Sequence, residues 1–300
     1  MEIQALRYFY AVAKTENMTR AASQLHVSQS TISRQLKALE EELGQKLFIR
    51  HSFSIELTQQ GRLLQDQAQD LLMMADKIEH EFRTWDEVDG GDLYLGLAES
   101  YQIRWLASWI RQFKEQYPKL HYHVTSGDRE QVYERLDRGV LDFGVVCEQP
   151  NPDKYSYLRL PETDTWGAVM RSDSPLAKKK KAIRVEDLAG QPLFASEEAW
   201  EHDLPSWGQD KMASLQLEGS FRLAYNGSIF VREGLGIMLT FDRLIDTSPG
   251  SGLTFVPLAP KLEERLYFTW RKDATFSPIA KRFCKYVLEK NQMSKQRNAD

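Results

Sequence analysis

The sequence is poor in cysteine and has no long apolar run. Cys147 and Cys284 are its only cysteines, and neither has a second Cys or a His at ligand spacing. A disulfide scaffold and a zinc site are therefore not indicated, and both thiols are expected to be buried and inert. No stretch of roughly 18 apolar residues predicts a membrane span, and residues 1–5 form no cleavable leader. We expect a cytoplasmic protein with no membrane partner.

The motifs of the common enzyme classes are also missing. The sequence has no G-x-S-x-G, no H-E-x-x-H and no G-x-x-x-x-G-K-[ST], and its six histidines are scattered. These motifs supply a nucleophile, a catalytic metal or a phosphate cradle. We therefore expect a protein that is not an enzyme, with no catalytic residues, cofactor-binding residues or metal ligands.

Acidic residues are missing from residues 17–39, although the whole chain carries a net charge of -4. The same segment contains Arg20, His26, Arg34 and Lys37. A local patch free of acids is typical of a surface that contacts DNA phosphates, whereas the overall charge argues against a general polyanion binder.

This segment predicts a helix-turn-helix over residues 18–37. Thr19 and Ser28 are candidate caps of its two helices. Ile32 and Leu36 follow a helical core spacing, so the opposite, polar face is expected to enter the major groove. The alternative for that face is a solvated helix surface. The predicted DNA contacts are Thr19, Arg20, Ser28, Gln29, Ser30, Thr31, Ser33, Arg34 and Lys37, with Arg50 and His51 on a wing within residues 46–57.

These residues resemble the N-terminal signature of LysR-type transcriptional regulators. The resemblance implies double-stranded DNA as a partner. Met18 departs from it, because the family usually has Ser there, and Phe53-Ser54 stands where the wing often has a basic residue and Gly. The second departure predicts a weaker contact between the wing and phosphates. The matching residues are Ala21-Ala22, residues 25–30 and 33–35, Leu39-Glu40, Leu43-Gly44, Leu47-Phe48, Arg50, Leu57-Thr58 and Gly61.

A heptad pattern follows Thr58, which is a candidate helix cap. Residues 61–90 carry eight acids and three bases, so this helix is not expected to bind DNA by itself. As in LysR linker helices, it is expected to pair with the same helix of a second subunit, in a homodimer or a homotetramer. The alternative is a stripe that packs on its own chain. The predicted seam is Leu64, Ala68, Leu71, Ala75, Ile78, Phe82 and Trp85.

Beyond residues 89–92, predicted strands alternate with helices, which favours α/β layers and a largely parallel sheet. Tyr117-Pro118 and residues 139–142, 174–177, 187–190 and 234–236 are similar to landmarks of the LysR effector domain. The predicted strands are residues 93–97, 120–125, 141–146, 166–170, 192–195, 221–224, 253–258 and 265–270.

The resemblance implies an α/β protein with an N-terminal all-α winged helix-turn-helix, a linker helix and a C-terminal two-lobed sensor of the type 2 periplasmic-binding-protein kind. The lobes are expected to be connected near residues 160–163 and 264–266, with a small-molecule co-inducer between them. RNA polymerase is a further partner that the resemblance implies. The expected domains are residues 1–58, 59–89 and 90–300, with lobe I at 91–160 and 266–292 and lobe II at 163–264.

Ser100 precedes the first sensor helix, where free backbone N–H groups favour an anion. The other candidates follow strand ends, where ligands bind in open α/β sheets. We therefore expect a small anionic metabolite, although Ser100 also fits a plain helix cap and Asn226-Gly227 a plain turn. Residues 178–181, four lysines, are interpreted as a solvated loop rather than a second DNA contact. The predicted effector contacts are Ser100, Tyr101, Ser126, Gly127, Ser196 and Asn226.

Other classes of protein explain only part of the sequence. A stand-alone solute-binding protein accounts for the sensor but is expected to carry an export signal. An architectural DNA-binding protein accounts for the first part but needs no sensor. A regulator accounts for both parts.

Overall fold

The computed structural model describes residues 1–50, 55–87, 89–179 and 181–297. His51, Phe53 and Ser54 of the predicted wing lie outside the described residues. The chain divides into Met1–Asp86 and Glu87–Asp300. In the described ranges, no helix is long and apolar enough to cross a membrane.

The helices of the first unit begin and end at recognisable caps. Ser28 Oγ accepts a hydrogen bond from the Thr31 N–H at 3.1 Å and starts α3, and Gly44, with φ of 64°, ends it. The predicted cap Thr19 is wrong, because it already lies inside α2. Asn17 precedes that helix and accepts from the Arg20 N–H at 2.9 Å. The elements are α1 (Ile3–Thr15), α2 (Met18–Gln24), α3 (Gln29–Leu43), β1 (Phe48–Arg50), β2 (Ile55–Leu57) and α4 (Gln59–Arg83).

One apolar core holds these helices together. Phe9 of α1 packs with Ile32 and Leu36 of α3, and all three are fully buried. Burying such side chains stabilises the fold by about 1.5–3 kcal/mol each. Ala68 and Leu72 of α4 belong to the same core, so the first part of α4 packs on its own chain.

The second unit alternates strands with helices. Its elements are β3 (Gly90–Leu97), α5 (Ile103–Gln116), β4 (Lys119–Ser126), α6 (Arg129–Asp137), β5 (Phe143–Cys147), β6 (Tyr155–Arg171), α7 (Pro175–Lys179), α8 (Val185–Leu188), β7 (Pro192–Ala195), α9 (Leu204–Gly208), β8 (Gln216–Ser220), α10 (Ala224–Arg232), β9 (Ile237–Phe241), β10 (Leu253–Pro257), β11 (Glu263–Arg271) and α11 (Pro278–Arg297).

The sheet of this unit has the strand order β4-β3-β5-β11-β6-β9-β7-β8, and β10 pairs with β6. β3 is parallel to β4 and β5, and β7 is parallel to β8 and β9. The prediction of a largely parallel sheet is only partly right, because β6 and β11 run antiparallel to their neighbours.

Strand β6 joins the lobes. It contributes Leu158 and Leu160 to the core of lobe I and Trp166 and Ala168 to the core of lobe II. The predicted connections therefore lie inside long paired strands, where Asp164 of β6 stands opposite Glu264 of β11. A buried carboxylate is thus built into the strand that connects the lobes.

The predicted strand at residues 221–224 is wrong. The strand is β8, which ends at Ser220, and α10 begins at Ala224. Gly227 is therefore helical, and its missing side chain has a packing reason, since a Cβ there meets Phe221 and Met238 side-chain atoms at 2.7 Å. The Asn226-Gly227 pair is part of a packed helix and not a turn.

Candidate functional sites

Helix α3 presents a polar face opposite its buried one. Ile32, Leu36 and Leu39 are buried, whereas Arg34 and Lys37 are exposed. The remaining predicted contacts of this segment are exposed or half-buried: Thr19, Arg20, Ser28, Gln29, Ser30, Thr31 and Ser33. Met18, where the family usually has Ser, is buried, and its sulfur lies 3.9 Å from the Gln29 amide nitrogen.

The acid nearest this face in sequence is turned inward. Glu40 is buried and accepts hydrogen bonds from the Leu47 N–H at 2.9 Å and from Lys46 Nζ at 2.9 Å. Burial raises the pKa of Glu40, but these hydrogen bonds outweigh burial and lower it. Glu40 therefore anchors the start of β1, the strand that carries Arg50, to α3.

Only part of the predicted α4 seam is available to a second subunit. Ala68 is a correction, because it is fully buried in its own chain, and Leu64 packs against the same core. Ala75 is half-buried. The exposed members, with exposed fractions, are Leu71 (50%), Ile78 (47%), Phe82 (73%) and Trp85 (48%), and Leu63 (61%) joins them as an exposed residue that the heptad pattern missed.

A cavity of about 480 Å³ lies between the lobes of the second unit. It opens at the carboxyl ends of β3, β4, β7 and β8, the edge where open α/β sheets bind ligands. Ser126, Gly127 and Ser196 line it, as predicted from the strand ends. Ser100, Tyr101 and Asn226 do not line it.

Ser100 faces a carboxylate of its own chain. Its hydroxyl donates a hydrogen bond to Asp164 and accepts one from the Gln102 N–H at 2.8 Å, while Gln102 Nε2 donates to Asp164 Oδ1 at 3.1 Å. Helix α5 begins at Ile103 and not at Ser100. The structure therefore does not support the predicted role of Ser100 as an anion contact, because its one hydroxyl proton is donated to Asp164 and Ser100 does not line the cavity.

The other two misplaced residues have different surroundings. Tyr101 is 40% exposed, and the guanidinium of Arg243 lies 5.0 Å from its ring centroid. Asn226 is exposed on α10. Neither residue lines the cavity: the ring of Tyr101 contacts Arg243, and Asn226 lies on the exposed surface of α10.

Carboxylates dominate the cavity wall, a feature that the search for Ser and Gly missed. Among the described residues, seven acidic side chains and two arginines line it. The sequence held a signal, since Glu197 and Glu198 directly follow Ser196. The acids are Glu99, Asp128, Glu130, Glu197, Glu198, Glu201 and Asp203, and the arginines are Arg129 and Arg222.

Some of these acids neutralise the positive ends of nearby helices. Glu99 accepts from the Ala224 N–H at 2.7 Å, at the start of α10. Asp128 accepts from the Gln131 N–H at 2.9 Å and caps α6. Helix starts that would favour a ligand anion are thus already occupied by the protein.

Asp203 has the most strongly raised pKa among the acidic side chains of the cavity wall. Burial, together with the carboxylates of Glu264 and Glu198, raises its pKa to about 7, although Arg129 opposes the change. Burial and Asp164 also raise the pKa of Glu264. Negative charge is therefore crowded in this part of the cavity.

The apolar part of the wall and the thiol complete the site. Trp166, Leu239 and Phe241 are buried side chains that line the cavity. Cys147 is half-buried and Cys284 is buried, so the prediction of two buried thiols is only partly right. Loss of solvation, followed by the Glu264 carboxylate, raises the pKa of Cys147 well above its usual value, so the thiol stays protonated. In the described parts of the chain, His, Cys, Asp and Glu form no group that could hold a metal ion.

Two family descriptions match the chain. "Bacterial regulatory helix-turn-helix protein, lysR family" matches residues 3–62, and "LysR substrate binding domain" matches residues 86–292. The first unit thus matches the DNA-binding part of that family and the second its sensor.

Similar proteins include two transcriptional regulators. "HTH-type transcriptional regulator YtlI" of Bacillus subtilis (strain 168) is 27% identical over 264 residues, which are 86% of this chain and 83% of that protein. "Hydrogen peroxide-inducible genes activator" of Pectobacterium carotovorum subsp. carotovorum is 30% identical over 198 residues, 66% of this chain and 65% of that protein. The first likeness is longer than either unit of this chain, so it extends across the boundary between them.

Among solved structures, the fold is similar to that of CbnR, a LysR family transcriptional regulator. The likeness has a TM-score of 0.74 at 23% identity and covers 96% of this chain and 99% of CbnR. CbnR complexed with its target DNA gives a TM-score of 0.71 at 22% identity, covering 96% and 99%. The observed fold is therefore one that a DNA-bound regulator also has.

Proposed function

The chain belongs to the LysR family of transcriptional regulators, and from this premise we propose which of its surfaces read DNA, sense an effector and form the oligomer. It is a DNA-binding regulator with a substrate-binding domain, and not an enzyme. We propose three functional parts at residues 1–58, 59–89 and 90–300.

The DNA-reading surface is the polar face of α3. The observation that carries this proposal is that Arg34 and Lys37 are exposed opposite a buried apolar face, within residues 17–39 that lack any acid. Such a face fits the major groove, where short polar groups and cations contact bases and phosphates. Ser28 combines its capping role with a phosphate contact. We keep the proposal from the sequence that Arg50 and His51 contact the DNA phosphates, although His51 lies outside the described residues.

Titration of operator DNA tests this assignment. Arg34→Ala is expected to weaken operator binding by about 1–3 kcal/mol while leaving thermal stability nearly unchanged. The matched control is Arg111→Ala, which removes an exposed arginine from the sensor. Equal losses in both variants would contradict the role of α3.

The exposed apolar residues of α4, together with Trp85 just beyond its end, form the subunit contact. Leu71, Ile78, Phe82 and Trp85 lie at heptad spacing, and the Phe82 and Trp85 rings stack with centroids 5.9 Å apart. Because these side chains are not covered by their own chain, we propose a second copy as their occupant, in a homodimer from which a homotetramer is built.

The inter-lobe cavity is the effector site. Its position at the strand ends and its volume support this assignment, since pockets for small molecules measure about 300–1,000 Å³. Ligand binding favours one arrangement of the lobes and so alters DNA occupancy. We propose that the protein acts in the cytoplasm. RNA polymerase is the further partner, whose activity at the promoter such a regulator would control.

A further inference from the structure

We propose that the inter-lobe cavity selects a small organic cation, carrying a protonated amine and a neutral hydrogen-bond acceptor, and not an anion. This inference rests on the proposed effector role of the cavity. It concerns the chemical class of the ligand and is tested separately from DNA binding.

Carboxylates of the protein accept hydrogen bonds at the helix starts that border the cavity. Glu99 takes the first N–H of α10, and Asp128 takes a free N–H of α6. A ligand carboxylate would therefore meet an occupied, negatively charged partner at each of these helix starts.

Both arginines of the cavity already form ion pairs with carboxylates of the protein. The Arg129 guanidinium contacts Glu148 and lies 3.4 Å from Glu198. The Arg222 guanidinium lies 3.7 Å from Asp128. The positive charge of each arginine is therefore already offset by a carboxylate of the protein.

Negative charge on the cavity wall remains at two acidic side chains. The side chains of Glu201 and Asp203 line the cavity and make no ion pair with any residue that the structure describes. Asp203 is half-buried, so a cation beside it is less screened by solvent than at an exposed pair. A protonated amine beside Asp203 would favour the ionised form of this carboxyl, in the same direction as Arg129 does.

Trp166 is only 3% exposed and lines the same cavity. Its indole N–H interacts with the carboxylate of Glu264 and opposes the rise in the pKa of that group. Within the described part of the chain, however, the N–H forms no hydrogen bond of normal length and angle. A buried N–H that forms no full hydrogen bond is costly. A hydroxyl or carbonyl oxygen of the ligand would satisfy it.

The cation is organic rather than metallic. No group of His, Cys, Asp and Glu among the described residues could hold a metal ion. The buried rings of Trp166 and Phe241 offer apolar and cation–π contact to the carbon chain and the charged end of an amine.

Calorimetry on the full-length protein tests the inference with four probes of equal carbon chain: putrescine, aminobutanol, butanediol and succinate. The two amines are expected to bind about tenfold more tightly than butanediol, the change that one additional charge-assisted hydrogen bond gives. Succinate is expected not to bind. Tighter binding of succinate than of either amine, or no binding of both amines, would overturn the inference.

Variants locate the binding. Asp203→Asn should weaken both amines, whereas Glu218→Gln makes the same loss of charge at an exposed position outside the cavity and should leave them unchanged. Trp166→Phe removes only the N–H and a ring of the indole, and it should weaken aminobutanol more than putrescine. Equal amine affinity in Asp203→Asn and the parent would overturn the inference.

An operator-binding assay on the same samples tests the proposed function. If succinate changes the complex with operator DNA and the amines do not, the charge assignment is overturned and the effector of the regulator is an anion. An operator complex that does not form would contradict the proposed function, whatever the amines do in calorimetry.

Discussion

The Ser100 hydroxyl donates a hydrogen bond to the carboxylate of Asp164, a residue of the strand that joins the two lobes. Asp164 is only 3% exposed, and burial raises its pKa. The hydrogen bonds from Ser100 and Gln102 oppose that rise. The start of α5 is therefore held to β6 by the protein's own anion.

Ser100→Ala should lower stability without changing ligand affinity. The substitution removes one donor to a buried carboxylate, which costs about 1–3 kcal/mol. Thermal unfolding measures the first effect and calorimetry with aminobutanol the second. A loss of affinity with unchanged stability would show that Ser100 contacts the ligand after all.

Asp203→Asn should stabilise the free protein, and more so at higher pH. The pKa of Asp203 is about 7 in the fold against 3.8 ordinarily, so the folded state holds this proton more strongly than the unfolded chain. The favourable contribution is full at low pH and is lost as pH rises through about 7. The gain in Tm should therefore be several degrees at about pH 8 and smaller at about pH 5.

Leu71→Asp should reduce the mass of the assembly in solution. The charge would lie in the proposed seam, where burial without a partner is unfavourable. Light scattering at low micromolar concentration measures the mass. Gln69→Asp adds the same charge at an exposed polar position of α4 and is expected to leave it unchanged. Full mass in Leu71→Asp would place the seam elsewhere.

Cys147 should react slowly with a thiol reagent at neutral pH. Burial and the surrounding carboxylates keep the thiol protonated, and the thiolate is the reactive form. The rate of alkylation, followed by mass spectrometry on the folded protein, is expected to stay far below that of the same protein in denaturant. Equal rates would show that the thiol is accessible and ionised.

The predictability of these features differs with their range along the chain. Ser28 and Thr58 cap helices through contacts within a few residues, so the sequence pattern predicts both correctly. Glu99 meets the Ala224 N–H across 125 positions, and Ser100 meets Asp164 across 64. Such pairings depend on the tertiary fold, and no periodicity announces them.

The α4 helix shows the same limit within one element. Its apolar heptad pattern does not distinguish a side chain that packs on its own chain from one that faces a partner. Ala68 and Leu71 both fit the pattern, yet Ala68 is fully buried in the first unit and Leu71 is half exposed. Their separation depends on where α1 packs.

A footprint on the DNA upstream of this protein's own gene, with and without aminobutanol, tests the account most directly. We expect a bounded footprint for the parent, its loss in Arg34→Ala, and a change in its extent on adding aminobutanol that is absent in Asp203→Asn. A footprint that is the same in the parent and Arg34→Ala, and that no ligand of the cavity alters, would contradict the account.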